Sequence, residues 1–188
     1  MPPVDHFGLL APFYERLIPF RYPEKLKLFA DLPVSGKVLD VGGGTGRVGQ
    51  AICPLADEVV VADLSWGMLS QARNKDDLDL VCSQSERLPF DADSFDRVLM
   101  IDALHHVIDQ AETLSELWRV LKSGGRLVVA EPDIRQKVVK FIALFEKVAL
   151  MRSHFLPPEA IASHFTGLEA WISIQPDGFN IWVILQKA

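Results

Sequence analysis

The chain has 188 residues, 49% of them hydrophobic and 23% charged, enough to fill a core and outside the range of a disordered or low-complexity sequence. A net charge of -6 and a pI near 5.3 leave no electrostatic footprint for nucleic acid, so no such partner is expected. Cys53 and Cys82 stand apart from each other and from any histidine pair at metal spacing, which argues against a disulfide framework and a zinc site, and no metal is expected.

Met1-Pro2-Pro3-Val4-Asp5 lacks the basic start and apolar core of a signal peptide, and no apolar run approaches the roughly 18 residues that would cross a bilayer. A cytoplasmic protein without a membrane span is expected. From His6 to Ile18 the apolar residues Phe7, Leu10, Phe13, Tyr14, Leu17 and Ile18 recur at helical spacing until Pro19, predicting an amphipathic helix, and Pro23 to Leu32 predicts another. Strand and helix then alternate. Strand one is Lys37 to Val41, and the following helix presents Val48, Ile52 and Leu55 with a stop near Pro54. Strand two, Glu58 to Ala62, carries a Val59-Val60-Val61 run suited to a sheet covered on both faces. Ser65 is placed to cap a helix bearing Met68, Leu69 and Ala72. Strand three is about Leu78 to Cys82 and strand four Arg97 to Ile101; a helix from Gln110 to Leu121 stops at Gly124-Gly125 before strand five, Arg126 to Ala130.

The last third changes character. Ile134 to Arg152 is apolar almost all round, through Val138, Val139, Phe141, Ile142, Leu144, Phe145, Val148, Leu150 and Met151, so a helix there must be covered on more than one side. Asp133 reads as its cap. A short helix follows Pro157-Pro158, and Glu169 to Gln175 pairs with Phe179 to Gln186 across Pro176-Asp177-Gly178 as a hairpin. The fold class that results is α/β: a doubly wound, mostly parallel sheet of Rossmann-like type with a C-terminal antiparallel hairpin. One domain is expected over 1–188, with a helical cover at 1–35, a ligand-binding core at 36–131 and the apolar helix and hairpin at 132–188. Ligand should lie outside the C-terminal strand ends, where the crossovers change face.

The polar residues of interest fall at those ends. Asp40-Val41-Gly42-Gly43-Gly44-Thr45-Gly46 breaks strand one into glycines, which allow a tight turn and let a ligand approach bare backbone. A dinucleotide-type spacing is also present at Gly44, Gly46 and Gly49, yet Asp40 stands where a diphosphate would have to sit, and like charges repel. A ligand with an ammonium group and a sulfonium centre suits that acid better. Asp63, closing strand two, falls where a ribose-binding acid belongs. His105 and His106 follow strand four and are the candidate bases of the region; the competing reading has them begin a helix and satisfy backbone groups there. Asp102 reads as a polar strand-end residue, and His154 and His164 as structural.

Five ordered segments carry a resemblance. They are Val38-Leu39-Asp40-Val41-Gly42-Gly43-Gly44-Thr45-Gly46; Val60-Val61-Ala62-Asp63-Leu64-Ser65 with Met68-Leu69; Ser85-Glu86-Arg87-Leu88-Pro89-Phe90 with Ser94-Phe95-Asp96; Ala103-Leu104-His105-His106-Val107; and Leu121-Lys122-Ser123-Gly124-Gly125-Arg126-Leu127. Together they resemble the class I S-adenosylmethionine-dependent methyltransferases, in the subgroup of quinone C-methyltransferases and other small-molecule enzymes. The resemblance implies S-adenosylmethionine as cofactor, with Asp40, Gly42, Gly44 and Gly46 around its methionine part, Asp63 on the ribose, Leu64 and Met68 on either side of the adenine, Gln84 and Ser85 at the adenine edge, and Met100 among the contacts. Gln84 stands where the family usually has an aspartate; its amide oxygen can still accept the adenine amino hydrogen bond, so weakened binding is expected. No Asn/Asp-Pro-Pro-aromatic motif follows strand four, and Cys53-Pro54 has the wrong order and place for a cytosine C5 nucleophile. A small hydrophobic acceptor is therefore expected, under an apolar lid built from Phe7, Phe13 and Tyr14 with Phe141 and Phe145. The same residues could instead be ordinary core or a homodimer face, and a noncatalytic cofactor-binding or scaffold module is the alternative to an enzyme.

Overall fold

The computed structural model describes residues 6–140 and 153–188. Its strands are β1 (Val34–Val41), β2 (Ala56–Asp63), β3 (Asp79–Cys82), β4 (Phe95–Ile101), β5 (Leu121–Pro132), β6 (Ala170–Asp177) and β7 (Asn180–Lys187), in one sheet of order β3-β2-β1-β4-β5-β7-β6. The pairs among β1 to β5 are parallel, whereas β7 runs antiparallel between β5 and β6. The expected fold class is what the chain adopts. The hairpin turns on Gly178 and Phe179 alone, with φ +59° at Gly178, the position where a tight two-residue turn needs glycine.

Both faces of the sheet are apolar because the strands alternate. Leu39, Val60, Val98, Met100, Leu127, Val129 and Val183 point to one side, against Leu114 and Leu117 of α6 (Gln110–Val120) and Ile161 of α7 (Pro158–Ser163). Val38, Val59, Leu99, Val128, Trp182 and Ile184 point to the other, against Leu26 of α3 (Pro23–Phe29) and Val48 and Ile52 of α4 (Arg47–Ile52). Each such fully buried aliphatic side chain contributes about 1.5–3 kcal/mol of transfer free energy, so the two-sided core fixes the strand register. The register in turn fixes the direction of the acids. Asp40 follows Val38 onto the α4 side, and Glu131 follows Leu127 and Val129 onto the α6 side.

Several elements differ from expectation. The single N-terminal helix is three short pieces: α1 (His6–Leu10), a 3-10 turn (Ala11–Phe13) and α2 (Tyr14–Leu17), because Pro12 cannot supply an N–H in a helix interior. Gly124-Gly125 does not end α6. The helix stops at Val120, and Leu121 already pairs with Phe95, so the glycines lie within an irregular start of β5. Asp133 does cap a turn, its carboxylate accepting from the Arg135 N–H, and helix is seen at 137–140. The remainder of the expected apolar helix, with Phe141 and Phe145, lies outside the described residues.

Candidate active site

The order β2-β1-β4-β5 places the change of crossover direction between β1 and β4, and in sheets of this kind the ligand crevice lies at the C-terminal ends of those two strands. On the β1 side, Gly42, Gly44 and Gly46 have φ of +70°, +57° and +74°, backbone that a residue with a Cβ rarely adopts. The glycines also make room for protein. A Cβ on Gly42 would lie 2.5 Å from Ala103 Cβ, one on Gly44 2.8 Å from Met68 Cε, and one on Gly46 2.8 Å from Leu78 Cδ1. The expectation that all three leave bare backbone for a ligand is thus corrected: the space beside Gly46 is filled by Leu78 and Ala72, and Gly42 is what lets the end of β4 close on the turn.

Asp63 holds this turn from the neighbouring strand. The Gly44 N–H donates to its Oδ2 (2.8 Å) and the Ser65 N–H to its Oδ1 (2.8 Å), while Ser65 caps α5 (Trp66–Ala72) by accepting from the Met68 N–H at 3.3 Å. Asp63 is only half-buried, so its carboxylate stays within reach of the surface. Met68 is buried against Gly44, and Leu64, 38% exposed, is the apolar surface beside it. Gln84 is exposed on the loop after β3, and the hydroxyls of Ser85 and Thr113 lie 3.1 Å apart. Met100 is fully buried in the core behind Gly42, so it is a wall of the turn and not a surface a ligand meets.

Asp40 lies beneath the same turn. Its carboxyl is sealed under Gly43, 1% exposed, and Oδ2 has no hydrogen-bond partner among the described residues. Burial raises its pKa to about 7, against the opposing pull of Arg47 and of the Gly49 N–H. It does not line the open crevice.

A second carboxylate closes the β4 side, and the sequence reading gave it no role. Glu131, 3% exposed at the end of β5, accepts from the N–H groups of Ala103 (3.0 Å) and Leu104 (2.9 Å) through Oε1, and its Oε2 lies 2.5 Å from His105 Nδ1. It thereby holds the 3-10 turn Leu104–His106 on β5. The His105 ring stacks on Phe155 at 4.3 Å, and its carbonyl accepts from the His154 N–H at 2.7 Å, so His154 belongs to the site through its backbone. His106 sits against Phe7 (4.8 Å, edge to face), and burial, reinforced by His105, drives its pKa down to about 3. His164 meets only Ser115 and Phe165, away from the site.

The N-terminal segment covers the crevice, although not with all the expected residues. Phe7 reaches His106, and Gly8 packs so closely on Gly67 that a Cβ there would come within 2.6 Å of the Gly8 Cα. Phe13 is 59% exposed and contributes nothing to a lid. Tyr14 lies under the Arg47 guanidinium, 5.8 Å from ring centre to Cζ. Arg47, the first residue of α4, pairs with Asp102 Oδ2 at 3.1 Å, and Asp102 itself is held at φ +54°. Arg47 carried no motif signal; only the fold brings it to the strand-four end.

Among the described residues no group of His, Cys, Asp and Glu could hold a metal ion, and no helix is long and apolar enough to cross a membrane. A family described as a methyltransferase domain matches residues 39–129. The chain is 41% identical over 104 residues to a demethylmenaquinone methyltransferase of Clavibacter sepedonicus, covering 53% of this chain and 42% of that protein. It is 41% identical over 158 residues to the same-named protein of Beutenbergia cavernae, covering 81% and 64%. The chain spans about two fifths of the length of several such relatives. An S-adenosylmethionine-dependent methyltransferase of Thermotoga maritima shares the fold, with a TM-score of 0.79 at 21% identity over 97% of this chain and 98% of that one. Motif order, sheet order and these likenesses agree in making residues 39–129 of the chain similar to the class I S-adenosylmethionine-dependent methyltransferases.

Proposed function

We propose that the protein transfers a methyl group from S-adenosylmethionine to a small hydrophobic acceptor of the quinol type. The observation that carries this reading is that the Asp63-clamped glycine turn and the His105–Glu131 pair face one crevice, joined where Gly42 meets Ala103. The residues fit the cofactor: the half-buried Asp63 carboxylate closes β2 where ribose hydroxyls would meet an acid, and Leu64 and Met68 offer apolar contact to a flat base. When bound, S-adenosylmethionine supplies an electrophilic methyl group on a sulfonium centre.

The chain supplies alignment, water exclusion and a proton acceptor. Glu131 accepting from His105 Nδ1–H fixes the tautomer and leaves the basic lone pair on Nε2. Such an imidazole removes the hydroxyl proton of a phenol, which raises electron density at the adjacent ring carbon and makes it the nucleophile. His106, its pKa pushed down to about 3 by burial, stays neutral and serves as an apolar wall with Phe7. Phe155 and Phe7 cover the two rings, so acceptor entry replaces one of these aromatic contacts. The named relatives act on demethylmenaquinone, and the aromatic surroundings here suit such a flat, lipid-like ring.

The test is incubation with labelled S-adenosylmethionine and a demethylated naphthoquinol kept reduced, with product mass read by chromatography. One added methyl on the ring supports the reading. Tight cofactor binding without transfer to naphthoquinols, benzoquinols or catechols would replace it by the noncatalytic binding module.

A further inference from the structure

The two edges of the sheet are finished differently. At one edge, β3 is four residues long and begins at Asp79, just after Asp76 and Asp77, so acids and shortness keep another strand away. At the other, β6 runs eight residues without a bulge, and no charge appears from Ala170 to Pro176. Hydrogen-bond parity shows which of its backbone groups are open. The Asp133 N–H donates to the Phe179 carbonyl on the β5 side (2.8 Å), and the Ala188 N–H to the Glu169 carbonyl on the β6 side (2.9 Å), so the even residues of β7 bond to the odd residues of β6. Ile172 and Ile174 therefore aim their N–H and C=O groups away from the sheet, and neither backbone has a partner on that side among the described residues. The row is bounded at both ends: the Ala170 N–H turns back onto the Leu168 carbonyl at 2.8 Å, and Pro176 has no N–H. Leu168 and Trp171 are exposed apolar side chains along it.

An uncharged edge with open donors is a template for one more strand. We propose that the added strand is β6 of a second copy of this chain, run antiparallel about a two-fold axis at Ile172, so that two seven-stranded sheets become one. Self-pairing answers every open donor. The two Ile172 residues exchange N–H···O bonds, and each Ile174 N–H meets the Ala170 carbonyl of the other copy, a pairing that asks nothing of the spent Ala170 N–H or of Pro176. The same register suits the side chains. Leu168 lies opposite Pro176, Trp171 opposite Ser173 and Glu169 opposite Gln175, whereas the neighbouring register, with Ser173 on the axis, would set Glu169 against Asp177. Asp177 is held within its own chain by Lys25. Ile172 and Ile174, half-buried on the α6 side of the sheet, carry that core across the axis. Each copy bears a net charge of -6, and an uncharged strand is where two such surfaces approach with least repulsion.

Sedimentation velocity across the micromolar range, with amide hydrogen exchange read residue by residue, tests the pairing. The unaltered protein should sediment as a dimer, and its Ile172 and Ile174 amides should exchange about tenfold or more slowly than after dilution to monomer. Ser173→Lys places a cation on the edge, facing Trp171 of the other copy and close to its own symmetry mate. This variant should be monomeric and should expose the Ile172 and Ile174 amides, while those of Trp171 and Gln175, which bond to β7, stay protected and report an intact hairpin. Asp79→Lys, at the guarded edge, should leave the dimer assembled. A protein that stays monomeric throughout that range would overturn the proposal. So would a dimer in which the Ile172 and Ile174 amides exchange freely, or one that Ser173→Lys leaves intact or Asp79→Lys dissociates, since its interface then lies elsewhere.

Discussion

The two sides of the crevice use the same device and differ in how deeply they bury it. On the strand-one side, the β2 carboxylate of Asp63 accepts backbone N–H groups from Gly44 and Ser65 and so ties down the turn after β1. On the strand-four side, the β5 carboxylate of Glu131 accepts backbone N–H groups from Ala103 and Leu104 and ties down the turn after β4. Each acid reaches across to the loop of the neighbouring strand. Asp63 remains half-buried, whereas Glu131 is 3% exposed and spends its second oxygen on His105. Burial thus decides whether a clamp is also a ligand contact or only a positioning group.

Removing Glu131 gives the largest expected effect. Glu131→Ala leaves two buried N–H groups and the His105 ring without their acceptor, and should cost about 3–5 kcal/mol in urea-induced unfolding. Glu131→Gln keeps a carbonyl oxygen for the N–H groups and should cost no more than about 1–3 kcal/mol, while kcat falls by roughly 10²–10⁴ because the imidazole loses its anionic partner. Equal stability losses in the two variants would show that the clamp is not what Glu131 contributes. On the other side, Asp63→Ala should cost about 1.5–3 kcal/mol of cofactor affinity by calorimetry, through the lost ribose contacts and a loosened Gly44 turn. Unchanged affinity would remove Asp63 from the site and leave it as a turn clamp alone.

The same contrast explains what could be read from residue order. The strand-one side is local in sequence: Asp40 to Gly46 and Asp63 to Met68 each lie within one strand-to-helix turn, so the turn chemistry and the acids appear as motifs. The sheet was legible for a related reason, since alternating and β-branched runs have a period of two and the two-sided core enforces it. The strand-four side is assembled across long separations. Glu131 meets His105 from 26 residues away, and Arg47 meets Asp102 from 55, with no periodicity or spacing to announce either. Asp40 shows the reverse failure: its position at the turn was plain, but its direction depended on strand parity, which sends it with Val38 under α4. Pro12 was visible too, and outweighs the helical spacing of Phe7 to Ile18 because the backbone defect is local and the apolar stripe is short.

A smaller effect separates the sealed acid from the two clamping ones. Asp40 has a folded pKa raised to about 7 from 3.8, so its contribution to stability is present at low pH and is lost as pH rises through about 7, where it must ionise without a full set of partners. Asp40→Asn should therefore raise the melting temperature at pH 8 by the equivalent of about 1–2 kcal/mol and leave it nearly unchanged at pH 4. Stabilisation of the same size at both pH values would trace the gain to packing and not to the charge.

An effect of opposite sign belongs to His106. Its folded pKa is depressed to about 3 from 6.5, so the unfolded chain binds the extra proton first as acid is added. Stability from the neutral ring is complete above pH 6.5 and declines as pH falls from there toward 3. His106→Gln removes the titration and should flatten the acid limb of the stability curve, while the pH profile of kcat/KM near neutrality keeps its shape because His106 is neutral throughout that range. A neutral-range inflection that vanishes in His106→Gln would make His106 the base, and with it change the side of the 3-10 turn that the acceptor approaches.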